Sequence, residues 1–85
     1  MATYQVDVRV MPRAALLDPQ GKAVQHALVE LGFNGVDRVR VGKALTLAVE
    51  ASDAESAARD ARAMCERLLA NPVTEDFAVT VDGEL

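Results

Sequence analysis

Apolar and polar residues alternate strictly near the start of the chain. Over residues 3–11 the apolar face carries Tyr4, Val6, Val8 and Val10, and the polar face carries Gln5, Asp7 and Arg9. A period of two residues is typical of a β-strand with one face buried and one in water. Pro12 lacks a backbone donor and ends the predicted strand.

The next pattern predicts an amphipathic helix. Asp18 supplies an N-cap carboxylate, and Pro19 takes the first helical position. Apolar residues then recur on one stripe at helical spacing: Ala23, Val24, Ala27, Leu28 and Leu31. Gly32 is suited to a left-handed residue that ends the helix, with Phe33 folding back onto the last turn. Gly21 in the first turn costs about 1 kcal/mol relative to alanine, a cost that a close backbone approach would explain.

Two further strands are predicted over residues 36–41 and 44–51. The apolar faces of these strands carry Val39 and Val41 in the first and Leu45, Leu47 and Val49 in the second. Gly42 and Lys43 between them suit a type II′ hairpin turn. A single bent strand with a glycine bulge is the alternative.

A second helix and a last strand complete the pattern. Residues 52–55 (SDAE) form a capping box. The helix that follows has an apolar face made of Ala54, Ala57, Ala58, Ala61, Met64, Cys65, Leu68 and Leu69. Asn71 and Pro72 end it. Phe77, Val79 and Val81 then alternate in a final strand, and residues 82–85 are expected to be frayed.

The element order is β-α-β-β-α-β, which predicts one α+β domain over residues 1–85. Both helices are expected to cover one face of an antiparallel sheet, giving a two-layer sandwich of ferredoxin-like type. The second face is mixed and modestly polar: Gln5, Asp7, Arg9, Arg38, Arg40, Thr46, Ala48, Ala78 and Thr80. Such a face, or an edge strand, is suited to oligomer formation.

Composition and charge exclude several classes of function. The 85 residues carry a net charge of −4, so a phosphate backbone meets no extended cationic surface and nucleic acid is not an expected partner. One cysteine and one histidine exclude a disulfide framework and a self-contained zinc site. We find no apolar run long enough to span a membrane and no signal-peptide pattern, so a cytoplasmic location is expected.

The apolar residues are unusually small. The chain contains 1 Tyr, 2 Phe and no Trp, and small aliphatic side chains each bury less area than aromatic ones. A domain of this size has a thin stability margin. We therefore expect the isolated monomer to be marginal and association into a homo-oligomer to supply part of the stability.

Candidate catalytic residues are few. His26 lies between the apolar positions of the first helix, without the nucleophile and orienting group that a general base needs, and is interpreted as a solvated surface residue. Cys65 lies on an apolar stripe and is interpreted as a packing residue, because a reactive thiol needs exposure and a positive environment. The carboxylates are scattered, so neither a carboxylate dyad nor a hard-cation cage is predicted.

Two phosphate-binding motifs are incomplete in this sequence. Gly42 and Lys43 lack the preceding glycine of a phosphate loop, and Ala44 stands where Ser or Thr is required. An acylphosphatase shares the element order, but its glycine-rich loop is replaced here by residues 12–15 (PRAA), so that enzyme is not predicted. Arg38, Arg40 and Lys43 form a local positive cluster suited to an acidic partner surface or an anion.

Four segments together give the chain a resemblance to a known family. They are residues 17–21 (LDPQG), 27–33 (ALVELGF), 39–43 (VRVGK) and 64–73 (MCERLLANPV). In this order and at this length they resemble the PurS family, the small subunit of phosphoribosylformylglycinamidine (FGAM) synthase. Residues 74–77 (TEDF) also fit the family's acidic and aromatic entry to the last strand, and the resemblance covers essentially the whole chain.

The resemblance implies a function that the spacing of residues cannot show. PurS forms a complex with a glutaminase subunit, PurQ, and a large ATP-dependent synthetase subunit, PurL. The complex converts formylglycinamide ribonucleotide (FGAR), glutamine and ATP to FGAM in de novo purine biosynthesis. PurS itself would then have no catalytic residue and no cofactor, with ATP and Mg used by the large subunit. It would bridge the other two subunits and assist the passage of ammonia between their active sites.

Seven residues are predicted to contact the partner subunits, because capping and core packing do not fully explain them. They are Gln20, Gly21, Arg40, Gly42, Lys43, Asn71 and Pro72. Asp18 is left out because its capping role suffices.

An amino-acid-binding regulatory module of ACT-like type is the alternative function. Such modules share the topology and bind a small ligand at a dimer interface. They favour a glycine in the loop between the first strand and the first helix, and this chain has none there before Gly21.

Overall fold

Three antiparallel strands form the centre of the molecule in a computed structural model that describes residues 1–14 and 17–85. The strands are β1 (Ala2–Pro12), β2 (Lys43–Ala51) and β3 (Glu75–Glu84), in the order β2-β1-β3. Val8 of β1 lies opposite Leu45 of β2 and Val79 of β3. The alternation predicted for each strand therefore places one continuous apolar face on the sheet.

The core lies between this apolar face and the helix α2 (Ala54–Met64). Val6 and Val8 are 0% and 1% exposed, and Ala57 and Ala61 of α2 are both at 0%. Because the side chains of Ala57 and Ala61 are only methyl groups, α2 packs close to the strands. Core packing therefore depends on small residues, as the composition indicates.

The start of α2 differs from the predicted boundary, whereas the helical segment ends just before Asn71 and Pro72 as predicted. Asp53, not Ser52, is the N-cap: its carboxylate accepts a hydrogen bond of 2.7 Å from the backbone N–H of Ser56. The helix continues into a π-helical turn (Cys65–Leu69), closed by a 3.0 Å bond from the Ala70 N–H to the Cys65 carbonyl. Cys65 and Ala70 are both buried at this turn.

Helix α1 (Pro19–Glu30) begins and ends as predicted. The Asp18 carboxylate accepts a 2.9 Å bond from the N–H of Gly21 and caps the first turn. Gly32 has φ +100°, in the left-handed region, and the N–H of Phe33 donates to the Leu28 carbonyl at 3.0 Å. This closure satisfies a carbonyl that the helix end leaves without a helical partner.

The predicted strand over residues 36–41 and the hairpin at Gly42 and Lys43 are wrong, and so is the alternative of one bent strand. The segment 36–42 joins no ladder, and β2 begins at Lys43. Its backbone groups bond to α1 instead: Gln25 Nε2 donates to the carbonyls of Val36 and Asp37 at 3.3 and 2.8 Å. The alternate spacing of Val39 and Val41 is typical of any extended segment, whether that segment packs against a strand or against a helix.

Helix α1 lies against this segment and away from the sheet. Gly21 is its only buried residue, and Leu31 and Phe33 at its end are 73% and 59% exposed. The molecule measures 51 × 27 × 14 Å, and its radius of gyration is 16.4 Å. A compact domain of this length has roughly 12 Å. Helix α2 therefore covers the sheet face, whereas α1 extends from it as an arm.

Strand β3 is longer than expected. Residues 82–84 continue the strand instead of fraying, and Gln5 Nε2 donates to Asp82 at 3.1 Å. The pairs Gln5–Gly83 and Val6–Val81 leave Asp82 as the extra residue of a β-bulge, and Gly83 beside it has φ +133°. The Leu85 N–H then donates to the Thr3 carbonyl at 2.7 Å.

The predicted α+β class, the antiparallel sheet and the ferredoxin-like arrangement of elements are confirmed. The differences are the missing fourth strand and the position of α1. Within residues 1–14 and 17–85, no helix is both long and apolar enough to cross a membrane.

Candidate partner interface

The residues predicted to contact partners gather at one end of the sheet, where β1 finishes and β2 and β3 begin. We call this region the basic end; it comprises residues 9–13, 36–43 and 71–78. Lys43 lies opposite Val10 at the start of β2. Gln20 and Gly21 are brought near through the packing of α1 on residues 36–41. Three segments that are distant in sequence are therefore close in space.

Asp18 holds α1 and the segment 36–42 together. One carboxylate oxygen accepts from the N–H of Gly21, and the other accepts from the N–H of Val41, each at 2.9 Å. The sequence explains only the first of these bonds, since nothing in it places Val41 beside the helix start. Asp18 therefore positions Arg40 and Gly42, although it was left out of the predicted site.

These two bonds perturb the acidity of Asp18. The N–H of Gly21 lowers the pKa of the carboxyl most, followed by the N–H of Val41, while partial burial opposes them and the charge of Arg40 assists. Hydrogen bonds to a carboxylate favour its charged form. The stabilisation is therefore complete above the ordinary value of 3.8 and is lost as pH falls through the lower folded-state pKa.

We expect the contact between α1 and Val41 to loosen only in acid, below the ordinary carboxyl pKa. Protonation of Asp18 removes the charged acceptor, so the amide resonance of Val41 will shift towards its unfolded position. An NMR titration of that amide measures this directly. Asp18→Asn, which has no ionisable group, should abolish the acid-dependent shift. A Val41 titration centred at or above the ordinary value would contradict the assignment.

Two of the predicted contact residues are glycines with a packing role. A Cβ at Gly21 would meet the Val39 carbonyl oxygen and the Asp18 carboxylate, and a Cβ at Gly42 would meet the Val10 carbonyl and Met11 sulfur. The close approach expected at Gly21 is therefore confirmed. Packing accounts for both glycines, and their contact with a partner stays a prediction.

Asn71 and Pro72 form a turn that is tied to the end of β1. Asn71 Oδ1 accepts from the Val73 N–H at 2.9 Å, and Glu75 accepts from the Asn71 N–H at 2.7 Å. Arg13 donates to the Pro72 carbonyl at 2.8 Å. The turn thus has a structural role, and both of its predicted residues remain exposed. Arg13 was missed by the sequence reasoning because no local pattern links it to residue 72.

The positive cluster is larger than the sequence indicates. Arg9 projects from the outer face of β1 and lines one groove with Arg38 and Arg40. Lys43 lines an adjoining groove that also includes Arg9. The alternation of side chains in β1 places Arg9 on the outer face of the sheet, and this was the sequence signal for its position. The proximity of Arg9 to residues 38 and 40 depends on tertiary packing.

The remaining candidate side chains lie elsewhere. His26 is exposed on α1 and pairs with Glu30 at 3.1 Å. Cys65 is 0% exposed, and burial, with the neighbouring charge of Glu66, raises the pKa of its thiol. Both interpretations made from the sequence are confirmed. In the part of the chain that the structure describes, no three His, Cys, Asp or Glu residues are grouped as metal ligands.

One helix packed on a three-stranded antiparallel sheet, with Cys65 buried between them, defines the chain as a small α+β domain. Residues 5–83 match the family model described as PurS: Phosphoribosylformylglycinamidine (FGAM) synthase. The chain belongs to the PurS family, as the sequence motifs indicate.

Individual relatives support this assignment over nearly the full length. The phosphoribosylformylglycinamidine synthase subunit PurS of Bacillus subtilis is 46% identical over 79 residues, covering 93% of each chain. A chain in the structure of PurLQS from Thermotoga maritima superposes with a TM-score of 0.88 at 33% identity, covering 95% of this chain and 99% of that one. The crystal structure of PurS from Methanocaldococcus jannaschii gives 0.84 at 32% identity, with coverage of 94% and 96%.

Proposed function

We propose that this chain is the non-catalytic bridging subunit of an FGAM synthase complex, held between a PurL synthetase and a PurQ glutaminase. The observation that carries the proposal is the likeness, over almost the whole length of both chains, to a chain of the Thermotoga PurLQS structure. The complex would convert FGAR to FGAM in the cytoplasm. ATP and Mg would be used by the large subunit, with no cofactor held by this one.

Assistance with ammonia transfer is a physical consequence of such a position. Ammonia released at a glutaminase site is protonated and lost if it reaches bulk water. A subunit that fixes the orientation of the two active sites and excludes water between them keeps the nucleophile neutral and close to its target. Rigidity is what this task requires, and the tied turn at Asn71 and the Asp18 bridge supply it at the basic end.

The basic end is the surface we assign to partner contact, and Lys43 provides the test. Lys43→Glu is expected to weaken assembly with PurL and PurQ and to reduce glutamine-dependent FGAM synthesis, because it reverses an exposed charge. The fold should be unaffected, since the side chain makes no buried contact. Co-purification and a glutamine-dependent assay measure the two effects, with circular dichroism as the check on folding.

Arg62→Glu is the matched control, because it makes the same change of charge on an exposed position of α2. It should leave assembly and activity unchanged. If Lys43→Glu leaves glutamine-dependent synthesis intact, this surface is not the interface. If the wild-type chain neither co-purifies with the two subunits nor stimulates their activity, the bridging function itself is wrong.

A homo-oligomer is the second part of the proposal. The exposed apolar side chains of the α1 arm are Leu17, Val24, Val29, Leu31 and Phe33. The sheet face covered by α2 leaves Leu45 and Leu47 of β2 only half-buried. An apolar arm and an incompletely covered apolar face on the same chain are complementary between two copies. A second copy of this chain is therefore the occupant we assign to both surfaces.

We expect sedimentation equilibrium to give a dimer or tetramer at micromolar concentration. Leu31→Asp should shift the chain towards monomer, because it places a charge on the arm. Leu85→Asp is the control, since Leu85 is about as exposed as Leu31 but lies outside the arm. A wild-type chain that is monomeric and thermally stable at these concentrations would contradict the assignment.

A further inference from the structure

An open groove of about 500 Å³ lies on the outer face of the sheet at the basic end. Its side chains include three guanidinium groups, from Arg9, Arg38 and Arg40, above the apolar residues Met11 and Ala78. We propose that this arginine groove is a binding site for the phosphate group of a small phosphorylated metabolite. The proposal concerns the chain by itself and does not rest on the bridging function.

The sheet presents Arg9 without crowding. On β1 it faces Ala44 of β2 on one side and Ala78 of β3 on the other. Two methyl groups lie directly opposite the arginine, so no side-chain acceptor faces it across either pairing. The carboxylates on the same face lie two residues along: Asp7 from Arg9 on β1, and Asp76 from Ala78 on β3. Met11 lies two residues further along the same face. The guanidinium of Arg9 therefore lies beside a small apolar surface.

The other two arginines of the groove, Arg38 and Arg40, lie in the segment 36–42. It is anchored from α1 by the Asp18 bond to Val41 and the Gln25 bonds to Val36 and Asp37. Arg38 and Arg40 lie between these anchors. A free loop would lose its conformational entropy when it closed on a ligand, whereas these anchors fix the segment beforehand.

The charges in the groove are poorly balanced. Asp76 is the one carboxylate among its described lining residues, and it pairs with Arg13 at 3.5 Å. Asp18 has both oxygens committed to backbone amides. Arg40 Nη2 is buried and has no hydrogen-bond partner among the described residues. An anionic acceptor that reached this N–H group would supply the hydrogen bond that the described residues do not.

The chemistry and the size of the groove favour a phosphorylated small molecule. Guanidinium groups bind phosphate oxygens in pairs of hydrogen bonds with fixed geometry. The volume falls within the usual range for small-molecule pockets. The chain as a whole carries −4, so three arginines around one groove are a local exception to an acidic surface.

The proposal is tested by calorimetric titration of the full chain at low salt with AMP, adenosine, inorganic phosphate and succinate. AMP is expected to bind saturably and inorganic phosphate more weakly, while adenosine, which lacks the charged group, does not bind. Arg38→Gln and Arg9→Gln should each weaken AMP binding by about tenfold, because each removes charge-assisted bonds to phosphate. Arg62→Gln on α2 is the control and should leave it unchanged. Circular dichroism confirms that the variants fold.

Three outcomes would overturn the proposal. The first is the absence of saturable binding by both AMP and inorganic phosphate. The second is a failure of specificity: either adenosine binds as well as AMP, or Arg62→Gln loses as much AMP affinity as the groove variants. The third is preferential binding of succinate, which would identify the groove as a carboxylate site and point to an acidic protein segment as its occupant.

Discussion

Gly21→Ala is expected to destabilise the protein by about 1–3 kcal/mol, although alanine is the better helix former. Intrinsic propensity alone gives the opposite sign, a gain of about 1 kcal/mol in a helix interior. The structure reverses this because the added Cβ would meet the Val39 carbonyl oxygen and the Asp18 carboxylate. Relief requires α1 to move away from residues 36–41. Urea unfolding, together with amide exchange at Val41, measures the loss.

Gly35→Ala is the matched control for this substitution. A Cβ at Gly35 meets nothing within 4 Å, and its φ is not positive. We expect the variant to be neutral or slightly stabilised, since alanine restricts the unfolded chain. A Gly21→Ala protein as stable as Gly35→Ala would show that the close approach of Val39 is not maintained in solution.

Ala61→Leu is expected to cost about 2–3 kcal/mol, a large share of the stability of a small domain. Ala61 is 0% exposed where α2 meets the sheet, next to a layer of fully buried valines. A larger side chain there must lift the helix or leave its preferred rotamers. Thermal and denaturant unfolding monitored by circular dichroism give the change.

Ala63→Leu provides the comparison on the same helix. Ala63 is exposed, so leucine should change the stability little, because alanine and leucine have similar helix propensities. Equal effects at the two positions would mean that α2 does not rest on the sheet as described. A loss confined to Ala61 would support the dependence of this core on small residues.

Much of the fold could be predicted because its signals are local. The alternation in β1, the cap at Asp18 and the left-handed Gly32 each involve only a few neighbouring residues, and the structure contains all three. The fourth strand was wrong because a run of alternating valines cannot specify its partner. The bonds that decide the matter, from Gln25 and Asp18 to residues 36–41, join side chains to distant backbone groups.

The candidate interface was predictable to a lesser extent. Lys43 and Arg40 were selected because capping and core packing do not explain them. The family resemblance, which is confirmed, supplied a function that no spacing contained. Arg13 was missed, because its proximity to residue 72 exists only after the sheet has formed. Arg9 was predicted on one sheet face with Arg38 and Arg40, but through a strand over residues 36–41 that is wrong. The partner contacts of all seven predicted residues stay predictions.

The central place of β1 in the sheet has a kinetic consequence. Its hydrogen-bonding partners are β2 from the middle of the chain and β3 from its end, so both pairings join distant segments. Proteins dominated by such non-local pairings fold slowly, and their strands are prone to aggregation before they have paired. During synthesis, β1, which has the most buried residues of the three strands, emerges from the ribosome before its two partners and remains incompletely paired until β3 follows. The sheet can therefore be completed only after β3 has been synthesised.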